Sequence, residues 1–175
     1  MPVTIDGTTG ITTPSVDSTG ASTFTGALAL PAGGLNVGSG QLAVDASGRV
    51  TMSSQPAFTA SNGTNVGGVV DPVLFTTINL NRGGHYNSAT GRFTAPVTGA
   101  YFFSASVDPT AGGAVSTQFK VNNVLQDFLR AYAVAGDGCQ AVSCALQLNA
   151  GDYVTIRTNA GFEGSLSQFT GFLIG

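Results

Sequence analysis

Residues 75–103 read FTTINLNRGGHYNSATGRFTAPVTGAYFF, and this stretch decides the fold. Val73, Phe75, Thr77 and Asn79 alternate with Leu74, Thr76, Ile78 and Leu80. That period of two predicts a strand over residues 73–80. Arg82, Gly83 and Gly84 break the run with residues that tolerate a positive φ, and Asn87, Ser88, Ala89, Thr90 and Gly91 supply a second turn signal. Thr98 and Gly99 open a further run over residues 100–107, in which Tyr101, Phe103, Ala105 and Val107 share one face. Short strands between Gly- and Asn-rich turns point to an antiparallel sandwich or jelly roll.

The spacing of seven residues in this stretch carries a resemblance. Phe75, Asn81, Tyr86, Phe93, Gly99, Tyr101 and Phe103 fall within 29 residues with no gap to adjust. Their spacing resembles the signature of complement-type globular heads, the C1q-like branch of the tumour-necrosis-factor jelly rolls. The likeness extends along the chain. Residues 55–60 (QPAFTA) resemble the family's first strand, and residues 146–154 (LQLNAGDYV) its hairpin around a Gly-Asp turn. Residues 167–174 (SQFTGFLI) resemble its closing strand. The resemblance implies an all-β protein whose head, residues 55–175, is a ten-stranded jelly-roll sandwich of the C1q/TNF type that associates as a homotrimer. Phe58, Phe75, Phe93, Tyr101, Phe103, Phe169 and Phe172 match positions that build the core or the subunit interface. Residues 131–140 (AYAVAGDGCQ) depart from the pattern, as a loop particular to this chain.

Residues 1–54 differ from the head. They are rich in Thr, Ser, Gly and Ala, and their only charged side chains are Asp6, Asp17, Asp45 and Arg49. Residues 35–41 and 42–48 can be overlaid as apolar-x-apolar units followed by a Gly turn, and Val50, Thr51 and Met52 begin a third. Such units resemble the β-structured shafts of phage fibre and tailspike proteins, where three chains bury what one cannot. A short β-rich trimeric arm is the expectation, against the alternative of a flexible polar linker.

Composition narrows the function. Charged residues make up 9% of the chain, and six basic against nine acidic side chains leave a net charge of −3. The basic residues form no cluster, so nucleic acid is not an expected partner. The longest apolar region, residues 27–35, is interrupted by Pro31, Gly33 and Gly34, so no membrane insertion is expected. The N-terminus has neither the basic nor the continuous apolar part of a secretory signal, and no Gly-X-Y period marks a collagen stalk. The expected setting is a bacteriophage virion, assembled in the host cytoplasm. There residues 1–54 would attach to other virion proteins, and the head would contact a host-surface glycan or protein. A capsid decoration or head-fibre protein is the alternative.

No catalytic residue is expected. His85 is the only histidine and is read as structural or interfacial, since no Gly-x-Ser-x-Gly elbow accompanies it. One Glu and no Trp disfavour a glycan-degrading tailspike. No cofactor or metal is assigned, although some C1q-like heads bind calcium near the trimer apex, where Asp108 and Asp137 could contribute loop oxygens. Cys139 and Cys144 lie five positions apart, roughly 16 Å along one strand at ~3.3 Å per residue, too far for a bridge unless the loop folds back. Contact loops are expected at residues 109–115, 131–139 and 159–165, with Gly112, Gly113, Gly136, Asp137 and Phe162 as candidate contact residues.

Overall fold

The computed structural model describes residues 36–37, 42–44, 47–62, 64–65, 67–109, 114–134 and 139–175. Every regular element among them is a strand. Three short strands come first: β1 (Asn36–Val37), β2 (Leu42–Val44) and β3 (Val50–Thr51), an antiparallel sheet in the order β1-β2-β3. They fall on the three apolar-x-apolar units, and Gly48 takes the left-handed conformation (φ 77°) at the turn into β3.

Ten strands build the head. They are β4 (Ala57–Ser61), β5 (Thr77–Arg82), β6 (Tyr86–Asn87), β7 (Arg92–Thr94) and β8 (Gly99–Pro109), followed by β9 (Ala114–Val121), β10 (Val124–Val134), β11 (Gln140–Leu148), β12 (Tyr153–Thr158) and β13 (Phe162–Leu173). They form two five-stranded sheets, ordered β10-β9-β12-β7-β6 and β11-β8-β13-β4-β5. All pairings are antiparallel, and the two sheets pack as a jelly roll. Tyr101, Phe103, Ala105 and Val107 of β8 are fully buried, as their alternation predicts. Around them Phe58, Phe93, Phe119 and Phe169 pack in stacked, tilted and edge-to-face contacts with ring centroids 4.7–6.3 Å apart.

The predicted strand over residues 73–80 is corrected. Val70 exchanges both backbone hydrogen bonds with Thr158, and the Val73 N–H donates to Ile156 O at 2.8 Å, so residues 70–73 pair with β12 in the first sheet. Residues 77–82 pair with β4 in the second. The chain crosses between sheets at residues 74–76, and Phe75 enters the core at the crossing. A crossing inside the core leaves backbone groups without a ladder. The Tyr86 hydroxyl meets both of Phe75's: it accepts from the N–H (3.3 Å) and donates to the C=O (3.2 Å). Lys120, almost buried, pins the same segment, with Nζ 2.8 Å from both Asp71 carboxylate oxygens.

The expected hairpin at residues 146–154 is also corrected. β11 belongs to the second sheet and β12 to the first, so the Gly151-Asp152 turn is a corner joining the two layers. Asp152 holds that corner by accepting from Asn122 Nδ2 (2.8 Å) and from the Asn149 N–H (2.7 Å). These bonds hold its carboxyl below the usual carboxylate range, the one from Asn122 contributing most. Residues 131–134 belong to β10 and Gln140 to β11, so the loop expected over 131–140 does not include them, and residues 135–138 lie outside the described residues.

Candidate functional site

The second sheet buries one face against the first sheet, and nothing in the chain's described residues covers the other. The register sorts its outward side chains into layers. Toward the arm, one layer in from the outward pair Gln147 and Ala100, residues Ala145, Phe102, Phe172 and Ala57 line up across β11, β8, β13 and β4. Next come Ser143, Ser104, Thr170 and Thr59, then Ala141, Ser106, Gln168 and Ser61. Asp108 and Glu163, direct cross-strand partners, stand at the far end. The face therefore grades from aromatic through hydroxyl to carboxylate along its length.

Each layer has its own physics. The Phe102 and Phe172 rings lie 5.3 Å apart, and Phe172 is 44% exposed. In the hydroxyl layer Thr170 Oγ1 donates to Phe58 O at 2.8 Å, so Thr59 is the donor in its 2.9 Å contact with Thr170. The two threonine hydroxyls are thus satisfied within the sheet, beside the small side chains of Ser104 and Ser143. A face of mainly small side chains with one aromatic layer, and exposed Leu80 opposite Thr59 at its edge, suits close approach of another folded surface.

The two ends of the head differ. Phe172 pairs with Ala57 and Leu148 with Gly99, so the arm joins the head at the end that also holds the C-terminus and the Gly151-Asp152 corner. Pro109 pairs with Phe162, Gln140 with Val107, Val134 with Ala114 and Thr158 with Thr117 at the opposite, distal end. The connections after β8, β10 and β12 are therefore anchored at the end away from the arm. Gly112, Gly113, Gly136 and Asp137 lie outside the described residues.

Phe162 is a correction. It is fully buried in the core as the first residue of β13, so it offers no contact surface. Its glycine neighbour reflects crowding: a Cβ on Gly164 would run into the Thr64 carbonyl. The loop before it is only residues 159–161. An exposed hydrophobic side chain on this strand is Leu166, in a β13 bulge between Glu163 and Gln168. The bulge breaks the alternation, so sequence reasoning missed it.

His85 sits at the arm end with its ring against Gly83 (φ 79°), where a Cβ would collide with the imidazole. Cys139 and Cys144 are both free thiols. Cys144 faces inward opposite Phe103, and burial pushes its thiol up to about 11. Among the described residues no group of three or more His, Cys, Asp or Glu side chains could hold a metal ion. No helix among them is long and apolar enough to cross a membrane.

Comparison with known proteins agrees with this architecture. A family model described as the C1q domain matches residues 57–174. Caprin-2 of Danio rerio is 33% identical over 129 residues, covering 67% of this chain and 14% of that protein. Complement C1q tumor necrosis factor-related protein 3 of Homo sapiens is 31% identical over 128 residues, covering 69% of this chain and 51% of that protein. The chain thus spans about half or less of the length of these relatives. The solved globular domain of zebrafish complement 1qA superposes with a TM-score of 0.55 at 25% identity, covering 69% of this chain and 98% of that one. Murine APRIL gives a TM-score of 0.52 at 16% identity over 68% of this chain and 98% of its own, a likeness of fold.

Proposed function

The chain belongs to the C1q domain family, and from that premise we propose that it is a non-enzymatic, homotrimeric binding head carried on a β-structured arm. The observation that carries this reading is the uncovered face of the second sheet. Family members of this fold generally associate in threes, and closed cyclic symmetry lets one such face serve three copies. The aromatic layer supplies the apolar contact at the arm end, and the Ser/Thr layers allow close approach above it.

Binding is assigned to the distal end. Loops anchored on a rigid sandwich are where specificity accumulates, because strand positions are fixed by packing. Three heads held together raise avidity even when each contact is weak.

The setting we infer is a bacteriophage virion appendage, a short fibre or knob whose arm docks on the particle. What supports it is the arm: three short strands on a sparsely charged Thr/Ser/Gly sequence, suited to three chains around an axis. Electron microscopy of purified particles labelled with an antibody to the head tests the setting. Label at a tail or vertex site is expected, and bare particles overturn it. Replacing residues 110–113 and 135–138 with Ser-Gly linkers tests the binding role. Adsorption to host cells should fall at least tenfold with the trimer intact, and unchanged adsorption removes the role.

A further inference from the structure

Beside the sheet crossing lies a groove that neither the trimer face nor the distal loops use. It holds about 260 Å³ and is lined by Asn62, Thr64, Val70, Pro72, Leu74 and Thr76. One wall is the stretch that follows β4, and the other is the crossing itself. Both walls are held in place. The Asn62 N–H donates to Ser167 O (3.2 Å) and the Gly164 N–H to Asn65 Oδ1 (3.1 Å), which ties the first wall to β13. Opposite it, Val70 is bonded to Thr158 and Val73 to Ile156 of the first sheet. The groove is therefore fixed by the fold rather than formed by a loose loop.

One side chain sets its chemistry. Asn62 is buried, at 5% exposure. Its Oδ1 accepts from the Thr64 N–H and from the Thr64 hydroxyl, both at 3.3 Å. A backbone N–H can only donate, so these bonds fix which end of the amide is oxygen. The other end, Nδ2, donates to nothing among the described residues. No fully buried side-chain nitrogen or oxygen among them lacks a partner, so Nδ2 keeps an opening to the surface, and the groove is the opening that Asn62 lines. Around this donor Val70, Pro72 and Leu74 supply apolar wall, and Thr64 and Thr76 add hydroxyls. No Asp, Glu, Lys or Arg lines the groove. A single preset donor between apolar walls, with no charge nearby, suits a neutral group that carries a carbonyl acceptor beside a small apolar substituent. An acetamide is such a group. Its oxygen meets Nδ2, its methyl meets Val70, Pro72 and Leu74, and its own N–H is within the donor chemistry a threonine hydroxyl accepts.

We propose that this groove binds an acetamido group, as carried by an N-acetylated sugar or an N-acetylated peptide, with Asn62 Nδ2 donating to its carbonyl oxygen. The site involves none of residues 110–113 and 135–138 and none of the layered face. Each assignment can therefore fail without the others.

Titration of the full-length chain followed by nuclear magnetic resonance tests it. The Asn62 side-chain NH₂ signals are tracked as N-acetylglucosamine, glucose and N-acetylglycine methylamide are added in separate series. N-acetylglucosamine should shift these signals and bind about tenfold or more tighter than glucose, which has the ring without the acetamide. Comparison with N-acetylglycine methylamide decides whether the groove takes the acetamide from a sugar or from a peptide. Asn62→Asp keeps an acceptor for both Thr64 contacts but loses the donor, and it should lower the affinity about tenfold or more. Leu74→Ser, at a side chain 38% exposed, removes part of the apolar wall and should also weaken binding, which keeps the test open if Asn62→Asp does not fold. If neither acetamide binds better than glucose, or if the folded variants bind as the parent does, the proposal is overturned.

Discussion

Phe102 and Phe172 stand directly opposite each other on β8 and β13, with ring centroids 5.3 Å apart, on a sheet face that no other part of the chain's described residues covers. Aromatic rings placed side by side at a surface are ready to be buried by a partner. Phe172→Ser removes half of this layer while touching little of the core, because the ring is 44% exposed in the single chain. Burying one Phe stabilises by about 1.5–3 kcal/mol. The variant should therefore weaken trimerisation about tenfold or more, as read by analytical ultracentrifugation across a dilution series.

Tyr86 should be needed for its hydroxyl. Tyr86→Phe keeps the ring that stacks on Phe58 at 4.8 Å but leaves the Phe75 N–H and C=O, both in the core, without their partner. Unsatisfied buried groups cost about 1–3 kcal/mol each. Chemical denaturation should show a loss of roughly 2 kcal/mol or more. A loss near zero would mean that Phe75's backbone finds another partner.

The head should lose stability on the alkaline side. Burial pushes Tyr86 from 10.0 up to about 12 and Cys144 from 9.0 up to about 11, and it raises Tyr101 as well. Each group stays protonated in the folded state at a pH where the unfolded chain has released its proton. The unfolded state then binds fewer protons, so stability falls as pH rises. The contribution is fully present below pH 9 and is lost progressively between about pH 9 and 12. Thermal melts should follow this course, and Cys144→Val should remove the part that begins near pH 9. Asp152 acts with the opposite sign: its lowered carboxyl contributes stability above its ordinary 3.8 that is lost as pH falls below it.

Asp108 and Glu163 are like charges paired across neighbouring strands on the outward face. Such pairs are destabilising by a few tenths of a kcal/mol up to about 1. Glu163→Gln should raise the melting midpoint in low salt, and the gain should shrink at high salt as screening takes over. An unchanged midpoint at both salt levels would show the carboxylates turned away from each other.

The parts of the fold set by alternation were legible in the sequence. Tyr101, Phe103, Ala105 and Val107 all point inward, and the strands around them run where the pattern places them. The sheet crossing at residues 74–76 was not legible. Val73 and Phe75 keep the same parity and are both buried, although the flanking residues belong to different sheets. The Gly151-Asp152 corner hid for a similar reason, since its turn chemistry is the same whether it joins neighbours or layers. Phe162 was misread because a glycine beside it signals close backbone approach as readily as an exposed loop. The layered face was invisible because it depends on the register of four strands, β11, β8, β13 and β4, distant in sequence. Phe172 was visible only as a family position, without the ring beside it.

The central claim, that the outward face of the second sheet joins three copies, is tested most directly at its middle. Ser104 lies in the hydroxyl layer between Ser143 and Thr170, where an arginine leaves no room for a second sheet. Sedimentation equilibrium of the full-length chain should give three times the chain mass at micromolar concentration. Ser104→Arg should sediment as a monomer with the circular dichroism of the parent. A wild-type chain that sediments as a monomer, or a Ser104→Arg variant that remains a trimer, would contradict the account.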